Sequence, residues 1–202
     1  EDAVGLGAYV YREQGGGYLA GMLVHDLDFV CSLLGRPESV CAEVRTTEPE
    51  RRLPDGEVIK VTADDTAALL LRMQSGVTAI LSISVMGAHA DHYRLELFGS
   101  DGTIIGDGDL RASRYQAGAA ADDGLDTLPV SDRAPAHPEG LPKGLAGHAA
   151  RAMALMLEDW LPAFHGGQST APTFEDGFVS LAIIDAARRS AEGGGWERVP
   201  AS

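Results

Sequence analysis

Cysteine is scarce. Cys31 and Cys41 are the two in 202 residues, too few for a disulfide scaffold and without partners at a metal-ligand spacing. They read as small, buried, apolar residues, and a reduced, cytoplasmic setting is the simplest expectation. Positive charge is also in short supply: 16 Lys and Arg stand against 30 Asp and Glu, a formal charge of −14. Nucleic-acid binding needs clustered cations to neutralise phosphate, so no nucleic-acid partner is expected. The same balance disfavours an anionic membrane surface. No apolar run approaches ~20 residues, so no bilayer-spanning helix is expected. The acidic opening EDAVGLGAYV lacks the basic start of a signal peptide. Missing too are HExxH, CxxC, GxSxG and P-loop patterns, and no GxGxxG follows a strand near the start. The chain therefore encodes no nucleotide-binding half of its own.

What is present is ordinary for a globular protein, 45% apolar and 23% charged, and the length suits a single domain over residues 1–202. After a lead-in with Ala8 to Tyr11 extended, Gly15-Gly16-Gly17 precedes a helical pattern. Leu19, Leu23, Leu27, Val30 and Leu34 recur at three- and four-residue spacing, and Gly35 with Pro37 ends the helix. Two-residue alternation follows. Strands are expected at Val40–Val44, Val58–Thr62, Thr66–Met73, Val77–Val85, Tyr93–Phe98 and Thr103–Gly106, with another at Leu110–Tyr115. Thr46–Gly56 and most of 107–143 read as loop. Two more helices are expected, from Leu145 to Phe164 around Pro162 and from Glu175 to Glu192, the latter with Thr173 and Asp176 as a capping box.

Short turns between strands imply antiparallel neighbours. The expected class is α+β: one open, mainly antiparallel sheet of five to seven strands with helices packed on one face. In Val77–Val85 the residues Thr78, Ile80, Ser82 and Ser84 point to the uncovered face. That face suits a second copy of the chain, and a homodimer or higher homo-oligomer is expected.

One helix carries the chemistry. On a helical wheel His25 lies opposite the Leu face, with Gly21, Asp28, Phe29 and Ser32 on its stripe. A carboxylate one turn from an imidazole can fix its tautomer, and Gly21 leaves space where a ligand could come close. The plain alternative is that His25 and Asp28 are surface residues of an amphipathic helix. The other histidines are weaker. His89 and His92 are three residues apart but lack a third ligand, so no metal is expected. His137 and His165 read as loop residues, and His148 as structural or exposed. Asp64-Asp65 reads as the end of a turn.

GGGYLAGMLVHDLDFVCSLLG resembles the GGG-x-L-x-D-x-G-x-H-x-x-D segment that opens the C-terminal domain of glucose–fructose oxidoreductase, inositol dehydrogenase and rhizopine-catabolism (Gfo/Idh/MocA) oxidoreductases. DDTAALLLRMQSGVTAIL resembles the family's strand–turn–strand. YRLELFGSDGTIIGDG resembles its glycine hairpin, and PTFEDGFVSLAIIDAARRSAEGG its last helix. The blocks occur in family order along nearly the whole chain.

The resemblance implies an open-sheet domain that supplies the substrate pocket and often an oligomer interface. An N-terminal Rossmann domain binding NAD or NADP would precede it and would carry a Glu-Lys-Pro motif. By motif position His25 matches the catalytic His, which takes the proton from a substrate hydroxyl as hydride leaves for nicotinamide. Asp28 matches the Asp three residues on and would orient the site. Arg12, just before the glycines, is either an exposed charge or a group reaching cofactor or substrate. Gly21 stands where the family has Asp, and Leu23 where it has Gly. The implied activity is oxidation of a CH–OH group of a sugar, an inositol or a related polyol, with this chain inactive alone. The alternative is a non-catalytic ligand-binding or oligomerisation module with a degenerate site.

Overall fold

The computed structural model describes residues 9–87, 93–106, 110–114, 126–128, 145–168 and 172–200. The sequence reads as one domain. Its contacts divide it into two compact units, residues Glu1–Ala88 with Pro172–Ser202, and residues His89–Ala171.

The first unit is a sheet with two helices on one face. A turn of 3-10 helix, Arg12–Gln14, precedes a π-helical turn, Leu19–Leu23, which runs directly into helix α1, Val24–Leu34. Tyr9 and Val10 are helical rather than extended. The carbonyl of Val10 accepts the N–H groups of both Thr62 and Ala63 at 3.0 Å, and its side chain is buried. Strand β1 is Pro37–Arg45; β2, Glu50–Arg52, lies in the segment expected to be loop and pairs with β3, Val58–Lys60. Strands β4, Thr66–Met73, and β5, Thr78–Ser84, form the expected hairpin.

In the second unit β6, Leu95–Gly99, β7, Gly102–Gly106, β8, Leu110–Arg114, and β9, Asp126–Thr127, make an antiparallel ladder in that order. Helix α2, Leu145–Phe164, contains Pro162 and continues past it. Helix α3, Phe174–Gly193, and β10, Glu197–Arg198, return to the first unit. The capping box at Thr173 and Asp176 is formed.

The class is α+β with open antiparallel sheets and helices, as expected, but the strands form three sheets instead of one. Their orders are β10-β1-β4-β5, β2-β3 and β6-β7-β8-β9. The short β2 and β3 carry Glu50, Arg52 and Lys60 exposed to water, so they have no apolar face to add to the main sheet.

One core organises the first unit. Leu19, Leu23, Leu27 and Val30 pack against Val40, Ala67, Leu69, Leu71 and Leu81 of the sheet and Val179, Ile183 and Ile184 of α3. Each fully buried Leu or Ile contributes about 1.5–3 kcal/mol relative to an exposed one. By composition and length Arg12–Leu34 could cross a bilayer, against the expectation for this chain. Here Leu19, Leu23 and Leu27 are buried in the core, and its outer side carries His25, Asp26 and Asp28.

The opposite face of the main sheet is uncovered among the described residues. Thr78, Ile80, Ser82 and Ser84 are all exposed, Ile80 to 78%. Cys41 and Leu70 lie in line with Ile80 across β1, β4 and β5. Trp196 lies over the Arg72 guanidinium at 3.8 Å near the β10 edge.

Candidate functional site

The helix that bears His25 is fixed at its start by a buried carboxylate. Asp64, 6% exposed, accepts the Leu19 N–H at 2.7 Å, and its backbone carbonyl accepts the Tyr18 N–H at 3.1 Å. The first N–H groups of a helix have no partner within it, and an anion there also opposes the helix dipole. The glycine run makes room for this. Gly17 has φ +116°, and a Cβ on it would overlap the Asp64 carboxylate. The run therefore holds a carboxylate, and the negative charge leaves it unsuited to cradling phosphate.

Asp65, 3% exposed, serves the neighbouring loop. Its carboxylate accepts the N–H groups of Thr47 and Glu48 at 2.8–2.9 Å. Burial pushes its pKa up, but these N–H donors and the Thr47 and Thr66 hydroxyls outweigh burial and hold it below the usual carboxylate range. The acidic pair thus does more than end a turn: it ties two loops to the sheet.

The π-helical turn Leu19–Leu23 comes just before His25. Single π turns inside helices recur at functional sites. The space that Gly21 was expected to leave for a ligand is filled. The Tyr9 ring lies there, and a Cβ at residue 21 would stand 2.5 Å from Tyr9 Cε1. Tyr9 in turn stacks on Tyr18, with ring centroids 5.1 Å apart and planes 25° from parallel. Neither tyrosine was singled out in the sequence. A glycine in a helix interior with no turn to make was the available signal.

His25 is exposed. Its neighbours one turn before and after, Met22 and Phe29, are exposed apolar residues, and Leu33 continues the stripe at 50% exposure. Asp28 is half-buried on the same helix, one turn on. No hydrogen bond joins the two side chains.

Arg12 is engaged elsewhere. It pairs with Glu192 of α3 at 2.9 Å, and its backbone N–H donates to the Thr62 hydroxyl. It lines a cavity of about 50 Å³ together with Val44, Arg45, Thr46, Thr62, Asp64 and Arg188. None of these lies on α1. Tyr9 lies against Gly21 and stacks on Tyr18 at the start of the helical stretch that carries His25 and Asp28, while Arg12 shares a cavity with Asp64 and turns its guanidinium to Glu192.

The cysteines are free and half-buried, not fully buried as expected. Burial raises the Cys31 pKa to about 11, with the Asp28 charge adding to the shift. Cys31 is therefore a neutral thiol at neutral pH and a poor nucleophile. Among the described residues no three His, Cys, Asp or Glu side chains gather to hold a metal ion. His165 is exposed in the turn after α2. His89, His92, His137 and the side chain of His148 lie outside the described residues.

A family profile described as "GFO/IDH/MocA C-terminal domain" matches residues 5–105. An uncharacterized oxidoreductase of Synechocystis sp. is 24% identical over 202 residues, 95% of this chain and 52% of that protein. Inositol 2-dehydrogenase of Rhizobium meliloti is 29% identical over 181 residues, 89% of this chain and 49% of the enzyme. The chain spans about half the length of these curated relatives. Among solved structures, a levoglucosan dehydrogenase in complex with NADH and L-sorbose superposes with TM-score 0.75 at 26% identity, covering 93% of this chain and 52% of that one.

Proposed function

The chain belongs to the GFO/IDH/MocA C-terminal domain family, and from that premise we propose that it is the substrate-binding half of an NAD(P)-dependent oxidoreductase. The substrate is a sugar, an inositol or a related polyol, oxidised at a CH–OH group. The relatives' substrates, inositol and levoglucosan, support that class.

The observation that carries this reading is His25. An imidazole with no side-chain hydrogen bond among the described residues stands exposed on an anchored helix whose outer side also exposes Met22, Phe29 and Leu33. Apolar side chains on a helix face fit a surface covered by another domain. The glycine run before the helix is occupied by the Asp64 carboxylate, so it is not where a dinucleotide's phosphates would sit.

When bound, the nicotinamide accepts the hydride. His25 takes the proton from the substrate hydroxyl at its free ring nitrogen and returns it in the reverse direction. Asp28, half-buried one turn on along the same helix, orients the substrate rather than reacting. Arg12, paired with Glu192, ties the 3-10 turn before the glycines to α3. The uncovered sheet face around Ile80 pairs with a second copy, giving a homodimer or higher homo-oligomer. The setting is cytoplasmic. Neither metal nor nucleic acid nor membrane enters the scheme.

A second reading draws on Gly21. The family's carboxylate is absent at this position, and an aromatic ring fills the place. That fits a binding or oligomerisation module that has lost catalysis. Titration of the complete protein, including its nucleotide-binding half, with NADH and NADPH separates the two. Nucleotide binding with oxidation of a polyol supports the dehydrogenase. A complete protein that binds neither nucleotide supports the module. The isolated chain is expected to be inactive, and any dehydrogenase rate from it, cleanly purified, contradicts this division of labour.

A further inference from the structure

Glycine in a helix interior is destabilising relative to alanine, and Gly21 has no positive φ to justify it. Its justification is the close approach of Tyr9, whose Cε1 and Cδ1 lie 2.5 and 3.2 Å from where a Cβ would stand. The Tyr9 ring is held against Tyr18, which comes just before the π-helical turn. Both rings are half-buried and keep part of their surface open. Helical side chains lean toward the N-terminus, so His25 leans back over the turn that carries Gly21. Tyr9 therefore sits against the helical turn just before His25, and Tyr18 backs it one turn further from the imidazole.

We infer that Tyr9, backed by Tyr18, is a specificity-determining wall of the substrate site: it takes the C–H face of a ring-shaped polyol and so selects cyclic over open-chain substrates. The inference rests on the dehydrogenase reading and deepens it. An aromatic face is electron-rich. The C–H bonds of a sugar or cyclitol ring, polarised by their hydroxyls, carry partial positive charge, and a rigid ring fixes which of them gather on each face. An open-chain polyol presents no such face without freezing its torsions. A side chain at residue 21 would push the ring off the helix, so the glycine and the tyrosine form one device.

The test uses the complete protein with its nucleotide-binding half. Kinetics are compared for myo-inositol and levoglucosan, which are cyclic, and for sorbitol and mannitol, which are open-chain. The wild type is expected to favour the cyclic pair. Tyr9→Ala is expected to raise KM for cyclic substrates roughly tenfold, with the open-chain KM and the NADH Kd nearly unchanged. Tyr9→Phe keeps the ring and is expected to behave as wild type. Gly21→Ala, which displaces the ring and leaves Tyr9 in the sequence, is expected to reproduce the selectivity loss and covers the case in which Tyr9→Ala does not fold. An unchanged cyclic KM in Tyr9→Ala overturns the inference. So does a KM that rises alike for both classes, or a wild type that prefers the open chain. A wild type that binds no nicotinamide nucleotide, or oxidises none of the four, overturns the dehydrogenase reading and this inference with it.

Discussion

The Asp64 carboxylate and the Leu19 backbone N–H, 45 residues apart in sequence, meet at 2.7 Å inside the protein. The bond ties the link between β3 and β4 to the start of the helix that carries His25. Gly17 is what lets the carboxylate in.

Asp64→Ala is expected to lower stability by about 1–3 kcal/mol, because it leaves a buried N–H unpaired. Gly17→Ala is expected to cost a similar amount, roughly 1–3 kcal/mol, from φ +116° and overlap with the carboxylate. The double variant should lose less than the sum, since removing the carboxylate relieves the overlap. Urea unfolding of the three variants measures this, and strict additivity would show that the two residues do not share the space.

Asp65 sets an acid-sensitive element of stability. Its folded pKa lies below the usual range, despite burial, through the N–H donors of Glu48 and Thr47. A depressed carboxylate stabilises the fold fully above its unfolded pKa of about 3.9. That contribution fades as pH falls through the lower folded value. Asp65→Asn is expected to be less stable than wild type at pH 7 by about 1–3 kcal/mol. The two stability curves should converge below pH ~4. A gap between them that stays constant from pH 7 to pH 3 contradicts the assignment.

The proposed oligomer rests on the open face around Ile80, which is 78% exposed. Ile80→Asp is expected to yield a monomer in light scattering. Its unfolding free energy as a monomer should stay within about 0.5 kcal/mol, as for other exposed positions. A variant that keeps the wild-type mass in solution removes this face from the interface.

Much of the fold was legible because its signals are local. The alternation in Thr78–Ser84 and the Thr173–Asp176 cap each depend on neighbours a few residues away, and both appear as read. The Leu face of α1 was legible for the same reason. The division into three sheets was not, because strand partners are set by long-range pairing and β2 is too short and polar to announce itself. The site was legible in part. His25 stands exposed on the outer side of its helix, as its position opposite the leucines required. The filling of the Gly21 space was hidden, because Tyr9 reaches residue 21 only through the turn that the glycine run makes. Asp64 looked like a turn residue for a similar reason: its partner, Leu19, is far away in sequence.

The central claim is that the His25 imidazole moves the substrate proton. Steady-state turnover of a polyol by the complete protein, wild type against His25→Ala, tests it most directly. The account predicts kcat lower by roughly 10²–10⁴-fold in the variant, with nicotinamide nucleotide still bound. Turnover equal to wild type in His25→Ala would contradict it.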